Sequence, residues 1–520
     1  FENFYSFSLK RKKDDPGITK IVFNNVVKNK GLLLKSSTAM RTAVLNSNDT
    51  ALISKYEKWI DIKREISKLY STEISERKGN PEDLEQQANS IEKDLVRESQ
   101  IFNDFQKVQN LTWESVKNSL KHGEAAIEFI HFAESPGRDS IIYCALLITP
   151  QSKQPEMVQL FNEKDLEFIL GTNRSNNLLY INGIYGTNEN TNEKLYRLIW
   201  QPLEKCLKGV KTIYYSPDGL LHKISFAALG KGKNIYLCDN YALNRLSTTG
   251  KVVTHEDYRI DKDLTAGIYG GIEYSADSAT RQIWQYLPGT KNEADKINQI
   301  FASRKLKTDY FSGKSATERS FKQLFTSVRQ NQKPEILHIA THGFFYPDPE
   351  VSINEEKKDT TAKEKPLVFR GGSSGFGLWQ FVKNKNPLMR SGLVFSGANN
   401  VWNQKYAGEG EDGVLTAQEV TQLDLQKTQL VVLSACETGL GDIRSSEGVY
   451  GLQRAFKMAG VKYLIMSLWQ VPDEATSEFM AQFYEKLLLT KNIQKSFNET
   501  QLKMRKKYDP YCWAAFVLIE

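Results

Sequence analysis

The order of apolar and polar residues divides the chain into a helical first part and a longer part with strands. Over residues 1–123, apolar side chains recur every three or four positions, as in helices that bury one face. Two such stripes are present, one through Ile53, Tyr56 and Ile60 and one from Leu84 to Phe105. Residues 78–81, Lys-Gly-Asn-Pro, separate them, and glycine ends helices while proline starts them. The pattern therefore predicts an antiparallel helical hairpin whose apolar stripes serve packing.

From residue 124 the pattern becomes that of β-strands. Short apolar runs bounded by polar residues lie at 125–132, 140–149, 212–217, 335–341, 430–436, 462–469 and 513–519. Helical patterns lie between the later runs, at 316–329, 447–459 and 473–488. Strands that alternate with helices are typical of a doubly wound, mostly parallel sheet. The sequence thus predicts an α/β fold over 124–520, preceded by the α-helical hairpin region.

One stretch interrupts this alternation. Residues 347–385 contain NEEKKDTTAKEKP and then GGSSGFG, a charged and glycine-rich composition that buries little apolar surface. We expect a long mobile insertion. Two roles are open for it: a gate or pseudo-substrate that offers its lysines and Arg370 to a nearby cleft, or a surface loop without influence.

Composition narrows the class of protein. The 520 residues are 40% hydrophobic and 25% charged, and 69 basic against 62 acidic side chains give a net charge of +7. This small, dispersed excess does not predict contact with nucleic acid. No apolar run suits a membrane span and no secretion signal is evident, so we expect a cytoplasmic protein without a membrane contact. The chain opens without methionine, in mid-pattern, and we expect a further module before Phe1.

Five cysteines without a CxxC pair predict neither a disulfide framework nor a zinc site. Four of them are interpreted as packing residues: Cys144, Cys206, Cys238 and Cys512. His338 lies four residues before His342 on a predicted strand, about 13 Å away at the usual rise per residue, so the two histidines do not share a metal. We interpret His338 as a core residue and expect neither a metal nor a cofactor.

Two predicted strands end in residues that carry chemistry. The run 335–341 leads directly into His342-Gly343, and the run 430–436 ends in Cys436. Working groups of open α/β sheets gather at the carboxyl ends of strands. If these strands are neighbours, the imidazole faces the thiol and favours a thiolate, while the N–H groups of Gly343 and Cys436 surround a developing oxyanion. The alternative is a hydrogen-bonded core histidine and a buried, inert cysteine.

Several segments resemble the CHAT family of caspase-like cysteine peptidases, relatives of separase within the caspase–gingipain group. They are HIATHGFF, LSACETGLGDIRSSEGVYGLQRAFKMAG, WAAFVLI and, further upstream, SPDGLLHKISFAAL, LPGTKNEA and FSGKSATERSF. The likeness covers about residues 124–520, and the helical region 1–123 is similar to the segment that joins tetratricopeptide (TPR) repeats to a CHAT domain. The resemblance implies a catalytic dyad of His342 and Cys436. It also implies an N-terminal half at 124–310 that lacks the catalytic pair and a catalytic half at 311–520.

The resemblance also suggests a specificity residue. Asp473 ends the motif SLWQVPD and matches the segment in which separase-like enzymes keep the acid that pairs with arginine. It is equally suited to be the N-cap of the following helix. Trp469 is either a wall of the substrate pocket or a residue at the rim of the core. Asp442 and Glu447, which follow Cys436, are candidates for adding negative charge to the cleft. Glu447 also suits the start of a helix, where its charge interacts favourably with the helix dipole.

Together these observations predict a cysteine endopeptidase that makes limited cuts in a protein partner, after a basic residue. The resemblance implies a setting in bacterial signalling or antiviral defence, and a regulatory partner that acts through the TPR module. The competing hypothesis is a non-catalytic scaffold that binds partners through a caspase-like fold.

Overall fold

The computed structural model describes most of the chain. The described residues are 2–45, 47, 49–71, 78–98, 111–135, 140–171, 177–186, 192–232, 234–254, 260, 264–275, 282–325, 333–347, 379–382, 384–403, 411–435, 442–444 and 448–520. Among them, no helix combines the length and the apolar character that crossing a membrane requires.

The first part of the chain is helical, as predicted. Its helices are α1 (Glu2–Arg11), α2 (Ile18–Asn29), α3 (Leu32–Leu45), α4 (Thr50–Ser71), α5 (Pro81–Glu98) and α6 (Trp113–Ser119). Helices α4 and α5 pack along each other through Tyr56, Ile60 and Leu95 at one end and through Ile66 and Ala88 at the other. Pro81 is the first residue of α5, where its missing N–H costs nothing. The predicted hairpin is confirmed.

An eleven-stranded sheet forms the centre of the rest. The strands of the described residues are β1 (Glu124–Ala133), β2 (Ile141–Ile148), β3 (Glu156–Asn162), β4 (Thr212–Ser216), β5 (Ala242–Arg245), β6 (Thr265–Ile272), β7 (Lys307–Gly313), β8 (Ile336–Ala340), β9 (Gly343–Phe345), β10 (Ser391–Val394), β11 (Val414–Thr416), β12 (Leu430–Ser434), β13 (Asp442–Arg444), β14 (Gly448–Tyr450), β15 (Tyr463–Ser467) and β16 (Phe516–Ile519). The order in the large sheet is β3-β2-β1-β4-β5-β16-β15-β12-β8-β6-β7. Neighbours run parallel except at β1–β2, β2–β3 and β15–β16, which confirms a mostly parallel sheet.

Two of the places where the spatial order of the strands departs from the chain order join the expected halves. Strand β6 precedes residue 310 but pairs with β8, so the expected N-terminal half contributes a strand beside His342. Strand β16, the last of the chain, crosses back to pair with β5 and β15. The two expected halves are therefore joined within one continuous sheet.

Helices cover both faces of this sheet. The longer helices of the α/β part are α7 (Glu163–Leu170), α8 (Asn177–Tyr185), α11 (Pro288–Ser303), α17 (Asp473–Thr490) and α18 (Ile493–Met504). Shorter ones are α9 (Asn192–Leu195), α10 (Leu237–Asn240), α12 (Glu318–Gln323), α13 (Trp379–Val382), α14 (Ala398–Trp402), α15 (Ala417–Val420), α16 (Leu452–Met458) and α19 (Pro510–Trp513). Helix α11 packs on α17, and α17 packs on α18, whereas α15 and α16 pack against each other and against the N-terminal helices.

Burial explains the apolar runs of the central strands. Every residue of β8, β12 and β15 is buried, because helices lie on both sides of the sheet. In β1 the residues alternate between two cores: Ala125, Ile127 and Phe129 face one, and Ala126 and Ile130 face the other. The second core is completed by α2 and α6.

Two smaller sheets lie outside the large one. Strands β9, β10 and β11 form an antiparallel sheet directly after His342, and β13 pairs with β14 in a hairpin. The helix predicted over 447–459 is wrong in its first residues, since Gly448–Tyr450 form β14 and α16 begins only at Leu452. Gly451, with a φ of 159° before the helix, lies at this change of direction.

Residues 348–378 and 383 of the insertion lie outside the described residues, and so does Arg370. The described C-terminal end of the insertion departs from the expectation of little core, because Phe381 is fully buried. Arg390 holds both flanks: its Nε donates to the carbonyl oxygen of Tyr346 (3.1 Å) and its Nη1 to that of Asn384 (2.8 Å). The insertion thus leaves and rejoins the fold at one buried guanidinium.

Candidate active site

The two strand ends with catalytic candidates are adjacent. Strands β8 and β12 are parallel neighbours, with Leu430 opposite Ile336 and Ser434 opposite Ala340. The structure thus meets the condition that the sequence left open for a dyad. The hydroxyl of Ser467, at the end of β15, donates a hydrogen bond to the carbonyl oxygen of Ala435 at 2.8 Å. Cys436 follows by one residue and lies outside the described residues, as do Glu447 and the side chain of Asp442.

His342 lies at the end of β8 with its side chain almost enclosed. It is 9% exposed, and its Nε2 lies 2.8 Å from the carbonyl oxygen of Gln285. A carbonyl oxygen only accepts hydrogen bonds, so Nε2 carries the hydrogen. In the neutral ring, Nδ1 is then the nitrogen with the lone pair. The rings of Tyr274 and Trp284 lie against the imidazole, with centroid distances of 5.0 and 5.2 Å.

A buried asparagine organises the segment that contains Gln285. Asn399, on α14, is fully buried, and its Oδ1 accepts from the backbone N–H groups of Ile283 (3.2 Å) and Trp284 (2.8 Å). Its Nδ2 donates to the carbonyl oxygen of Trp284 (3.0 Å) and to Ser275 Oγ (2.9 Å). Its own N–H donates to the carbonyl oxygen of Tyr274 (3.0 Å). Both aromatic neighbours of His342 are therefore bound to Asn399, Trp284 by the side chain and Tyr274 by the backbone N–H.

These neighbours of His342 are not predicted from the sequence. A backbone carbonyl such as that of Gln285 has no residue-type signature. Asn399 is more than fifty residues away from His342 in the sequence and lies in no motif. The one available signal was the position of Trp284 and Gln285 just before the segment LPGTKNEA, which carried the family resemblance.

Gly343 begins β9, and its N–H is directed away from the neighbouring strand. Gly343 lies opposite Leu393 of β10, and the N–H of Val394 donates to the carbonyl oxygen of His342 at 3.0 Å. In an antiparallel ladder, a bond at that place means that Gly343 and Leu393 exchange no hydrogen bonds with each other. The Gly343 N–H therefore points to the side of β9 on which no described strand lies. This direction is compatible with the predicted oxyanion contact.

Asp473 lies at the start of α17 on the protein surface. It is the first residue of the helix and is exposed, while Pro472 occupies the N-cap position, so the N-cap alternative is wrong. The carboxylate makes no hydrogen bond or ion pair with another described residue. It lies directly against Gly289 of α11, where an added Cβ would be 2.3 Å from Asp473 Oδ2. Gly289 is four residues after Gln285, which places the carboxylate next to the segment that contacts His342.

Trp469 does not wall a pocket. Its side chain is 5% exposed, stacks on Tyr185 with a centroid distance of 5.6 Å, and donates its Nε1–H to the carbonyl oxygen of Tyr511 at 2.8 Å. The prediction of a substrate contact is corrected in favour of the core alternative, because the ring presents almost no surface to a ligand.

The remaining candidates have structural roles, as expected. His338 is fully buried, with Nε2 3.0 Å from Glu293 Oε1 and Nδ1 3.2 Å from the Tyr484 hydroxyl. The thiols of Cys144, Cys206, Cys238 and Cys512 are free. Burial raises the pKa of all four, to about 12 for Cys144 and for Cys238, so none is poised to form a thiolate.

One group of carboxylates in the described part of the chain lies close enough to hold a metal ion: Glu318, Glu411 and Glu419. The ammonium group of Lys322 is bound to all three, at 2.6, 2.6 and 2.9 Å. This cluster, which we call the Lys322 cluster, is therefore an ion-pair network.

Curated relatives share part of the chain. Tetratricopeptide repeat protein 28 of Mus musculus is 24% identical over 314 residues, and that of Homo sapiens is 24% identical over 326 residues. Each alignment covers 58% of this chain, and this chain spans 12% of the length of either relative.

Solved structures with a similar backbone arrangement have lower sequence identity to this chain than these relatives have. The Saccharomyces cerevisiae separase–securin complex has a TM-score of 0.44 and 10% identity, covering 84% of this chain and 33% of that chain. The Arg specific cysteine proteinase gingipain R has a TM-score of 0.35 and 9% identity, covering 63% of this chain and 66% of that chain.

The family model described as "CHAT domain" matches residues 189–520, more than half of the chain. The match includes His342, Gly343, Cys436 and Asp473. It starts after β3, although β1, β2 and β3 belong to the same eleven-stranded sheet as the matched strands. The resemblance that the motifs indicated is confirmed, and the chain belongs to the CHAT domain family.

Proposed function

We propose that the chain is a cysteine endopeptidase in which Cys436 is the nucleophile and His342 the acid/base partner. The observation that carries the proposal is the parallel pairing of β8 and β12, since His342 and Cys436 each follow the last paired residue of their strand by two positions. The bond from His342 Nε2 to Gln285 supports it, because it leaves Nδ1 as the proton acceptor. The neutral ring in this tautomer is what a general base needs.

The proposed reaction starts with transfer of the thiol proton of Cys436 to Nδ1 of His342. The thiolate attacks the carbonyl carbon of the scissile peptide bond, and the resulting oxyanion accepts hydrogen bonds from the N–H groups of Gly343 and Cys436. The C–N bond then breaks as the imidazolium gives its proton to the leaving amine. Water, deprotonated by His342, hydrolyses the thioester and restores the thiol. These reaction steps need no cofactor.

For substrate choice we propose Asp473 as the acceptor for a basic side chain before the scissile bond. Its carboxylate is exposed, is bound to no other described residue and lies beside the segment of Gln285. A charge-assisted bond would favour arginine or lysine there and disfavour acidic residues. Limited cleavage of a protein partner in the cytoplasm follows as the wider proposal. A regulatory partner acting through TPR repeats, and a setting in bacterial signalling or antiviral defence, rest on the family relation alone.

A cysteine-directed activity probe tests the dyad. We expect labelling of Cys436 that is lost in His342→Ala and retained in the matched control Cys512→Ala, because only Cys436 follows a strand paired with that of His342. Cys436→Ala should abolish peptide cleavage without lowering the melting temperature. The mechanism would be refuted if Cys436 were labelled equally in the wild type and in His342→Ala, or if Cys436→Ala cleaved peptides near the wild-type rate. Either result would favour a scaffold.

A peptide library tests the specificity residue. The wild type should prefer arginine or lysine before the cut, and Asp473→Ala should lose that preference, with Glu474→Ala as the neighbouring exposed control. A wild-type preference for acidic residues at this position would exclude Asp473 as the acceptor.

A further inference from the structure

We infer that Asn399 is the positioning residue of His342: it fixes the Gln285 carbonyl and the two aromatic rings that together set the tautomer and orientation of the imidazole. The consequence for catalysis rests on the proposed function. The positioning itself does not, since it concerns only described residues and is measurable without a substrate.

Five hydrogen bonds, four from the Asn399 side chain and one from its backbone N–H, join two separate segments of the chain. One is the end of β6 and its extension, through Tyr274 and Ser275, and the other is the segment of Ile283 and Trp284. Gln285 is the next residue after Trp284, so the bonds to both peptide groups of Trp284 fix the Gln285 Cα and leave only the rotations at Gln285 itself to place its carbonyl. The carbonyl position in turn determines where Nε2 of His342 lies.

A second contact from the same short helix supports this role. Trp402, on α14 with Asn399, packs edge-on against Trp284 with a centroid distance of 5.2 Å. The Trp402 ring also stacks on Phe381, with a centroid distance of 5.6 Å. Helix α14 therefore holds Trp284 by its backbone and by its ring, and Trp284 lies against His342. The packing of Trp402 fills the space beside the Trp284 ring, while the hydrogen bonds of Asn399 fix the orientation of the Trp284 peptide groups.

The chemistry of the site explains why an asparagine is needed. Two backbone N–H groups require an acceptor, and a carbonyl and a hydroxyl require donors, all at one buried point. A primary amide offers both functions on one planar group. Aspartate lacks the donors and would place a carboxylate against the carbonyl of Trp284, whereas leucine has a similar size but leaves all four partners unsatisfied.

The test compares Asn399→Asp and Asn399→Leu with the control Asn403→Ala, one turn further along. Asn403 Nδ2 bonds to the carbonyl oxygen of Asn399 and does not form the contacts to the Trp284 segment. The first readout is the nitrogen NMR spectrum of His342 in a Cys436→Ala background, which reports the tautomer without turnover. We expect the signal of a single Nε2–H tautomer in the parent and in Asn403→Ala. A mixture of tautomers or a broadened signal is expected in both Asn399 variants.

The second readout is peptide cleavage with Cys436 intact. We expect kcat to fall by about 100-fold in Asn399→Asp, as for a misplaced catalytic group, with KM changed by less than about threefold. Unchanged tautomer and unchanged kcat in either folded variant would overturn the inference. If no form of the protein cleaves peptides, the proposed function fails, and the NMR comparison still decides the positioning. If leucine prevents folding, the aspartate variant decides, because it retains the acceptor for both N–H groups.

Discussion

Ser434 of β12 lies opposite Ala340 of β8 in the parallel ladder. Both strands end there, at the same edge of the sheet, and the sequence places His342 and Cys436 at equal distances beyond the ends. This relationship connects a sequence pattern to a chemical hypothesis: two buried apolar strands deliver an imidazole and a thiol to one edge, and the carboxyl edge of an open sheet is where ligands bind.

Gly289→Ala is expected to impair recognition of a basic residue as Asp473→Ala does. The new methyl group would lie 2.3 Å from both Cβ and Oδ2 of Asp473, a distance at which one of the two must move. Rotation of the Asp473 side chain can move Oδ2 but not Cβ, so the start of α17 must also shift away from α11, and the carboxylate is displaced with it. The measurement is kcat/KM for matched arginine and glutamine peptides.

Asn292→Ala is the control for this prediction, since Asn292 is an exposed residue of the same helix. If Gly289→Ala keeps the full arginine preference while Asp473→Ala loses it, the carboxylate does not act from the position seen here.

The strands that carry the site could be predicted from sequence because their chemistry is local. A run such as Leu430–Ser434 is apolar throughout, and the polar residues that follow mark its end. The contacts that orient His342 are not local: Gln285 contributes only its backbone, and Asn399 acts through four partners that no spacing rule connects. Trp469 illustrates the opposite error, because a tryptophan near a site looks the same in sequence whether it is exposed or buried.

Lys30→Met is expected to destabilise the protein by about 3–5 kcal/mol, the usual cost of leaving a buried charge without its partner. Lys30 Nζ lies 3.0 Å from Glu128 Oε2, and both side chains are almost fully buried between α2 and β1. The double variant Lys30→Met/Glu128→Gln should recover much of the loss. Lys28→Met, two residues earlier, is the control in a denaturant titration.

An equal loss in the single and the double variant would show that the unpaired charge of Glu128 is not its cause, and would assign it to the packing of Lys30 and its bonds to the carbonyl oxygens of Phe129 and Ser216.

Arg41→Ala is expected to cost about 2 kcal/mol or more, since it leaves buried carbonyl oxygens without a donor. Arg41 of α3 is 4% exposed, and its Nη1 donates to the carbonyl oxygens of Thr421 (3.2 Å) and Met458 (3.1 Å). Those carbonyls lie at the C-terminal ends of α15 and α16, where a positive charge is favourable. The exposed pair Arg64–Asp61 provides the control, because Arg64→Ala should change the melting temperature little. Equal effects of both substitutions would contradict the role given to Arg41.

Asp412→Asn is expected to make stability less dependent on pH. Asp412 is beside the Lys322 cluster, and burial together with the negative charge of Glu419 raises its pKa from 3.8 to about 7. Between these values, folded Asp412 keeps a proton that the unfolded chain has released. The contribution of Asp412 to stability therefore falls as the pH rises from about 4 to about 7 and is constant above that range.

The melting temperature at pH 5 and pH 8 is the measurement. The wild type should lose stability between these pH values, and Asp412→Asn, whose amide can still accept from the N–H of Val414, should lose less. The matched control is Asp424→Asn. Although burial opposes it, the hydrogen bond from Lys333 lowers the pKa of Asp424, so this carboxylate is charged in both states at pH 5 and at pH 8. The control should reduce stability equally at both pH values. A wild type that is equally stable at both pH values would show that Asp412 is ionised in the folded protein, with Lys322 compensating for the surrounding carboxylates.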